Sequence, residues 1–130
     1  MNRYKIMLAD DEGIVIDSLK FIIEKEFGDS CTIEYAKTGR SVIELAETYR
    51  PDIAIMDIQM PGINGIEAMR EIRENNHSVI FIVMFAYDKF DYAKEAIKLG
   101  VLEYITKPME KTRIVAALKR AMEQINKERT

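Results

Sequence analysis

The chain holds one cysteine, one histidine and three prolines among 130 residues, and each scarcity closes off a class of function. With Cys31 alone, neither an internal disulfide nor a cysteine-built metal site is open to it, and the thiol reads as a small packed hydrophobe. His77 stands between Asn75, Asn76 and Ser78 in a polar connection. With no second imidazole to join it, it reads as a surface residue rather than a metal ligand. No apolar run approaches the length of a membrane span. Asn2-Arg3-Tyr4-Lys5 leads straight into a strand rather than a signal peptide, so the expectation is a cytoplasmic protein with no membrane partner. Surplus positive charge is missing too. At a net charge of −3 the chain as a whole offers no electrostatic case for binding nucleic acid. Glycine is sparse after the first strand, which speaks against a nucleotide-binding loop. Repeats, low-complexity tracts and linkers are absent, and the length suits one domain over residues 1–130 with a core of its own.

What the sequence does contain is a regular alternation. Tyr4 to Ala9 reads as a strand. Val15, Leu19, Ile22 and Ile23 then recur at helical spacing up to about Phe27-Gly28. Thr32 to Ala36 is a second strand. Val42, Leu45, Ala46 and Tyr49 mark a second helix, with Ser41 and Glu44 spaced as a capping box and Pro51 closing it. The short apolar run from Asp52 to Asp57 enters the turn Pro61-Gly62, and reads as a strand buried on both faces. Ile66, Met69 and Ile72 give a third helix, capped by Asn64 with Glu67 three residues on. Val79 to Phe85 is continuously apolar, as a central strand should be. A fourth helix spans roughly Phe90 to Leu99 and stops at Gly100. Val101 to Ile105 is a fifth strand, followed by Thr106-Lys107-Pro108. The last helix uses Ile114, Val115, Leu118, Met122 and Ile125, and fades into the polar tail from Asn126. Five strands alternating with five helices through short connections predict an α/β fold, a doubly wound parallel sheet covered on both faces.

In such a sheet the carboxyl ends of all strands share one edge, where ligands bind. Asp10 and Asp11 follow the first strand, Asp57 ends the third and Lys107 follows the fifth. Singly, each has a bland explanation as a helix-start acid or a solvated lysine. Jointly, three carboxylates repel one another and persist most easily around a cation. Hard oxygen ligands without histidine or cysteine suit Mg²⁺. Lys107 would then pair with Asp57, or with an anion beside it.

Asp10-Asp11, the segment Asp57-Ile58-Gln59-Met60-Pro61-Gly62-Ile63-Asn64-Gly65 and Thr106-Lys107-Pro108 together resemble the signature of the bacterial two-component response-regulator receiver domain, over essentially the whole chain. That resemblance implies a flavodoxin-like five-stranded sheet of order 2-1-3-4-5. It also implies Asp57 as phosphoacceptor for a sensor histidine kinase. Asp10, Asp11, Asp57 and the Gln59 backbone carbonyl would hold Mg²⁺, and Lys107 would contact the phosphoryl group. Tyr104 takes the place of an aromatic that swings between outward and inward positions, and Pro108 that of a proline often preceded by a cis bond. The stretch from Tyr87 to Gly100 is similar to receivers joined to AraC-type helix-turn-helix output domains. Nucleic acid would therefore be reached only through an output domain outside this chain. A homodimer through the fourth helix, fifth strand and fifth helix is implied by the same resemblance.

Phe85 departs from that pattern. Receivers place a serine or threonine there, whose hydroxyl contacts the phosphoryl group, and neither Met84 nor Ala86 supplies one. Losing a hydrogen bond to a charged group costs about 1.5–3 kcal/mol, which leaves transfer open and puts the coupling to Tyr104 in question. The leading expectation is a phosphoaccepting, non-enzymatic signalling domain that switches an output, most simply transcription. The competing one is a degenerate receiver, a binding module locked by Phe85 and indifferent to phosphate. A Mg²⁺-dependent aspartyl phosphatase is the remote third, since Gln59 stands where that chemistry wants a second acid.

Overall fold

A computed structural model describes residues 3–86 and 90–129, with the side chains at positions 90, 92 and 93 outside that description. Strands and helices alternate along it: β1 (Tyr4–Ala9), α1 (Gly13–Phe27), β2 (Cys31–Ala36), α2 (Gly39–Tyr49), β3 (Ile53–Asp57), α3 (Gly65–Asn75), β4 (Ile80–Ala86), α4 (Phe90–Lys98), β5 (Glu103–Lys107) and α5 (Lys111–Arg129). The strands pair in parallel in the order β2-β1-β3-β4-β5, the doubly wound arrangement that the alternation predicts. Tyr87, Asp88 and Lys89, the start of the stretch similar to AraC-type regulators, lie outside the described residues.

Side chains alternate across the sheet and fill two cores. Phe81, Val83 and Phe85 of β4 point to the core under α2 and α3, together with Ala54, Met56 and Met69. Ile80, Ile82 and Met84 point to the opposite core under α1 and α5, with Ile53, Ile55, Leu19 and Leu118. A strand buried on both faces has no polar side to show. This is why β3 and β4 read as continuous apolar runs.

Several boundaries differ from the sequence expectation, each for a local reason. The cap of α2 is Thr38 rather than Ser41. The Thr38 hydroxyl oxygen accepts from the Ser41 amide at 3.1 Å while the Ser41 hydroxyl accepts from the Thr38 amide at 3.1 Å, so the helix starts earlier. Strand β5 begins at Glu103, not Val101. Gly100, at φ 76°, is spent on the left-handed stop of α4, and the chain needs two more residues to regain the sheet. The shift makes Lys107 the last residue of β5. Helix α5 runs to Arg129 instead of fading at Asn126, because polar residues near its end are tied down. The Tyr4 hydroxyl donates to Asn126 Oδ1 at 2.7 Å, and Arg129 pairs with Asp52 at 3.4 Å and stacks over the Tyr4 ring. The Asn64 cap is as expected, accepting from the Glu67 amide at 2.9 Å. His77 is exposed, and Cys31 is a half-buried free thiol pushed up to about 11 by burial.

Arg73 of α3 ties three segments together at the opposite edge of the sheet from Asp10, Asp11 and Asp57. Its guanidinium donates to the carbonyls of His77 and Val79 at 3.1 and 2.9 Å, and to those of Leu99 and Gly100 at 3.5 Å, while lying over the Phe81 ring. Only a planar fork can serve so many acceptors at once. Arg73→Met should therefore lower the unfolding free energy by about 1.5–3 kcal/mol in urea titrations, with Arg73→Lys recovering less than half of the loss. Equal stability of Arg73→Lys and the parent would show that charge alone matters.

Candidate functional site

The parallel order brings the ends of β1, β3 and β5 to one edge, and three side chains meet there. Lys107 Nζ lies 2.9 Å from Asp10 Oδ2 and 2.8 Å from Asp57 Oδ2. Asp10 is completely buried and Asp57 is 6% exposed. Each carboxylate uses its second oxygen locally. Asp10 Oδ1 accepts from the Glu12 amide and Asp57 Oδ1 from the Gln59 amide, both at 2.9 Å. These turns start the connections into α1 and α3, so the residues that form the site also shape the loops around it.

Around this triad lies a cleft of about 370 Å³ lined by Asp11, Glu12, Asp57, Gln59, Met60, Pro61, Ala86 and Lys107. Carboxylate oxygens of Asp10, Asp11 and Glu12 lie within 4.8 Å of one another. The site residues read from the sequence thus gather at one place, with Asp10, Asp57 and Lys107 in direct contact and Asp11 and Gln59 on the cleft wall. Glu12 is the residue that sequence reading passed over. It adjoins the acid pair, and the Asp10 turn swings it to the same opening. A donor set made of carboxylates, with no imidazole or thiolate in that described group, fits a hard divalent cation such as Mg²⁺.

Burial holds the Asp57 carboxyl above the usual carboxylate range. The Lys107 hydrogen bond, the Gln59 amide and the Lys107 charge offset this in part, and the Asp10 charge adds to it. For Lys107 burial acts downward, but hydrogen bonds and charge from Asp57 and Asp10 outweigh it and hold the ammonium above its ordinary value. The two directions are compatible. One ammonium has two carboxylates to itself, whereas Asp57 has only a share of one cation.

Away from the cleft, the Phe85 ring is buried and packs against Tyr104 with centroids 6.1 Å apart and planes inclined at 37°. Tyr104 remains 40% exposed. No hydroxyl stands at position 85, and the Lys107–Pro108 peptide bond is cis.

The raised Asp57 carboxyl gives a signed pH dependence. A group whose folded pKa exceeds its unfolded value binds its proton more tightly when folded, so ionisation at neutral pH works against folding. In chelator, Asp57→Asn should raise the melting temperature at pH 7. The gain should fade as pH falls through the raised value toward the ordinary carboxylate pKa of about 4, where both proteins are neutral at this position. Lys107 adds no slope near neutrality, because its contribution is lost only as pH rises through its raised pKa. A lower melting temperature for Asp57→Asn at pH 7 would show the ion pair to be net stabilising.

Comparison with known proteins agrees with this geometry. The response regulator receiver domain family matches residues 6–119. The chain is 37% identical over 125 residues to an uncharacterized transcriptional regulatory protein, YesN, of Bacillus subtilis, covering 96% of this chain and 34% of that protein. It is 33% identical to the transcriptional regulatory protein HptR of Staphylococcus aureus, covering 90% of this chain and 46% of that one. The chain therefore spans about a third to a half of the length of these relatives. Among solved structures, the REC domain of AraT, a response regulator from Geobacillus stearothermophilus, superposes with a TM-score of 0.89 at 32% identity over 98% of both chains. A two-component transcriptional regulator AraC from Clostridium phytofermentans does so with a TM-score of 0.84 at 25% identity over 97% of both. With the matched segment spanning β1 to α5 and the acid–lysine edge inside it, the chain belongs to the response regulator receiver domain family.

Proposed function

We propose that this chain is a phosphoacceptor domain, taking a phosphoryl group onto Asp57 from a phosphohistidine of a sensor kinase and using it to control an output. The observation that carries the reading is the Asp10–Lys107–Asp57 contact at the floor of an open acidic cleft. In the transfer, an Asp57 carboxylate oxygen attacks phosphorus in line. The P–N bond to the kinase imidazole breaks, and that nitrogen leaves with its electron pair. Lys107 is the residue that neutralises charge on the group in flight. Its attraction for Asp57 in the free protein passes to the phosphoryl oxygens as they arrive. Asp10, Asp11, Asp57 and the Gln59 carbonyl would hold Mg²⁺, which when bound supplies further neutralisation of phosphoryl charge.

A surface for the donor adjoins the cleft. An apolar groove of about 490 Å³ between α1 and the segment after β5 is lined by Ile14, Val15, Ser18, Ile22, Pro108 and Met109, and shares Glu12 and Lys107 with the site. Ile14 is 75% and Phe21 66% exposed on the same helix. An amphipathic helix of the kinase fits a stripe of that kind, with its histidine over the acids. The relatives are longer than this chain and carry the names of transcriptional regulators, which supports a DNA-binding output outside it and a cytoplasmic setting. Reuse of α4, β5 and α5 as a homodimer face remains part of the same reading, as does signalling in place of turnover.

Phe85 supports a second reading. A buried ring is costly to remove from its place, about 3–5 kcal/mol on the scale of Phe→Ala changes, and it occupies the side from which Tyr104 would move inward. On this view phosphate is accepted but not relayed to Tyr104, or the domain acts as a binding module in one state.

Two measurements separate these readings. With Mg²⁺ and acetyl phosphate, the parent protein should gain one label that is lost in Asp57→Ala, and equal labelling of both would place the acceptor elsewhere. Beryllofluoride should leave the Tyr104 ring resonances of the parent nearly unchanged, while Phe85→Ser should respond, at a stability loss of about 3 kcal/mol. Full reorientation of Tyr104 in the parent would sink the uncoupling idea.

A further inference from the structure

The loop from Ile58 to Asn64 carries Gln59, Met60 and Pro61 of the cleft wall, and its position is set by two backbone contacts that tolerate no side chain. At its far end Gly65 lies against the strand. A β-carbon there would stand 2.5 Å from the Asp57 carbonyl oxygen and 2.7 Å from Ile58, whose carbonyl accepts from the Gly65 amide. In its middle the loop rests on α2. A β-carbon at Gly39 would collide with the Ile63 carbonyl oxygen and stand 2.9 Å from the Ile63 carbonyl carbon and β-carbon. The Gly39 amide also donates to the Pro61 carbonyl at 3.4 Å. Gly39 is buried and has ordinary helical geometry. Its lack of a side chain is therefore needed for close approach alone, not for a special φ.

These contacts have a direction. Gly39 is the first residue of α2, anchored by the reciprocal Thr38–Ser41 cap. Val42 and Ala46 fix the same helix in the core under the sheet. The helix is thus the rigid partner and the loop the yielding one. An added methyl group displaces Pro61–Ile63, and with them the Gln59 backbone two residues before Pro61.

We infer that Gly39 is a positioning residue for the divalent-cation site at Asp57: the α2 start, brought to backbone contact with Pro61–Ile63, holds the Gln59 carbonyl where a cation bound by Asp10, Asp11 and Asp57 requires it. The inference rests on the proposed phosphoacceptor reading, and adds a residue from a helix that supplies no ligand. Displacing such support weakens metal affinity by about ten- to a hundredfold where outer residues have been altered in metal sites.

The test is a Mg²⁺ titration of the whole chain, followed through backbone amide resonances of Ile58 to Ile63 and of Asp10 and Asp11. Gly39→Ala should bind Mg²⁺ at least about tenfold more weakly than the parent. Its labelling by acetyl phosphate should half-saturate at correspondingly higher Mg²⁺, with a plateau rate within about twofold of the parent. Ile63→Gly removes the β-carbon that lies beside Gly39 and loosens the same contact from the other side, so it should weaken Mg²⁺ in the same direction. Ala46→Gly destabilises α2 without touching the loop and should leave the affinity unchanged. Should Gly39→Ala fail to fold, Ile63→Gly decides alone. Folded variants with parental affinity but lower melting temperatures would overturn the inference and leave Gly39 a packing residue. A parent protein that shows no Mg²⁺-dependent shifts at Asp10, Asp11 and Asp57 would instead overturn the phosphoacceptor reading beneath it.

Discussion

One ammonium group shared by two buried carboxylates is the constraint on which this site turns. Asp10 and Asp57 are out of solvent, and charged groups in that position must be paired or hydrogen-bonded. Lys107 reaches both from a third strand. That demands that the ends of β1, β3 and β5 stay in register to within the length of a hydrogen bond, although β4 lies between β3 and β5. The parallel order supplies this alignment. The second oxygens of the two carboxylates then tie down the turns that follow, so ionic pairing and loop shape cannot be altered separately. The site is a local concentration of unfavourable charge that the rest of the sheet holds in place, the pattern expected where function works against stability.

The two faces of the sheet divide the labour. By alternation Asp57 shares the face of Ile53 and Ile55, with α1 and α5, and Lys107 that of Ile105. Phe85 follows Phe81 and Val83 to the other face, where it meets Tyr104. Chemistry and the surface under α4 are therefore separated by the thickness of the strand ends. Phe85 belongs to the second of these sides: its ring packs against Tyr104, while its neighbour Ala86 lines the cleft.

Much of this was legible in the chain because it depends on local pattern. The apolar runs of β3 and β4, the Asn64 cap and the Gly100 stop each follow from a handful of adjacent residues. So did the convergence of Asp10, Asp57 and Lys107, since parallel topology fixes which ends meet. What stayed hidden depends on contacts between distant segments. Arg129 extends α5 only because Asp52 and Tyr4 are waiting for it. Thr38 outcompetes Ser41 as a cap because Ser41 answers it from within the first turn. Glu12 reads as one more helix-start acid until the Asp10 turn aims it at the cleft. Gly39 looks like an unremarkable glycine at a helix start until Ile63 is placed against it.

The fork of Arg73 has a mechanical consequence. It grips Leu99 and Gly100 at the carboxyl end of α4 and fastens them to α3 and β4. The helix is nine residues long, about 13 Å at 1.5 Å per residue, and is held like a beam clamped at one end. Any tilt is a rotation about that clamp. A swing of about 10° then carries the amino end, nearest the edge that holds Asp57, through roughly 2 Å along that length, while the clamped end scarcely moves. Loads applied at the cleft side act with the full length of the lever, and loads applied near Gly100 with almost none.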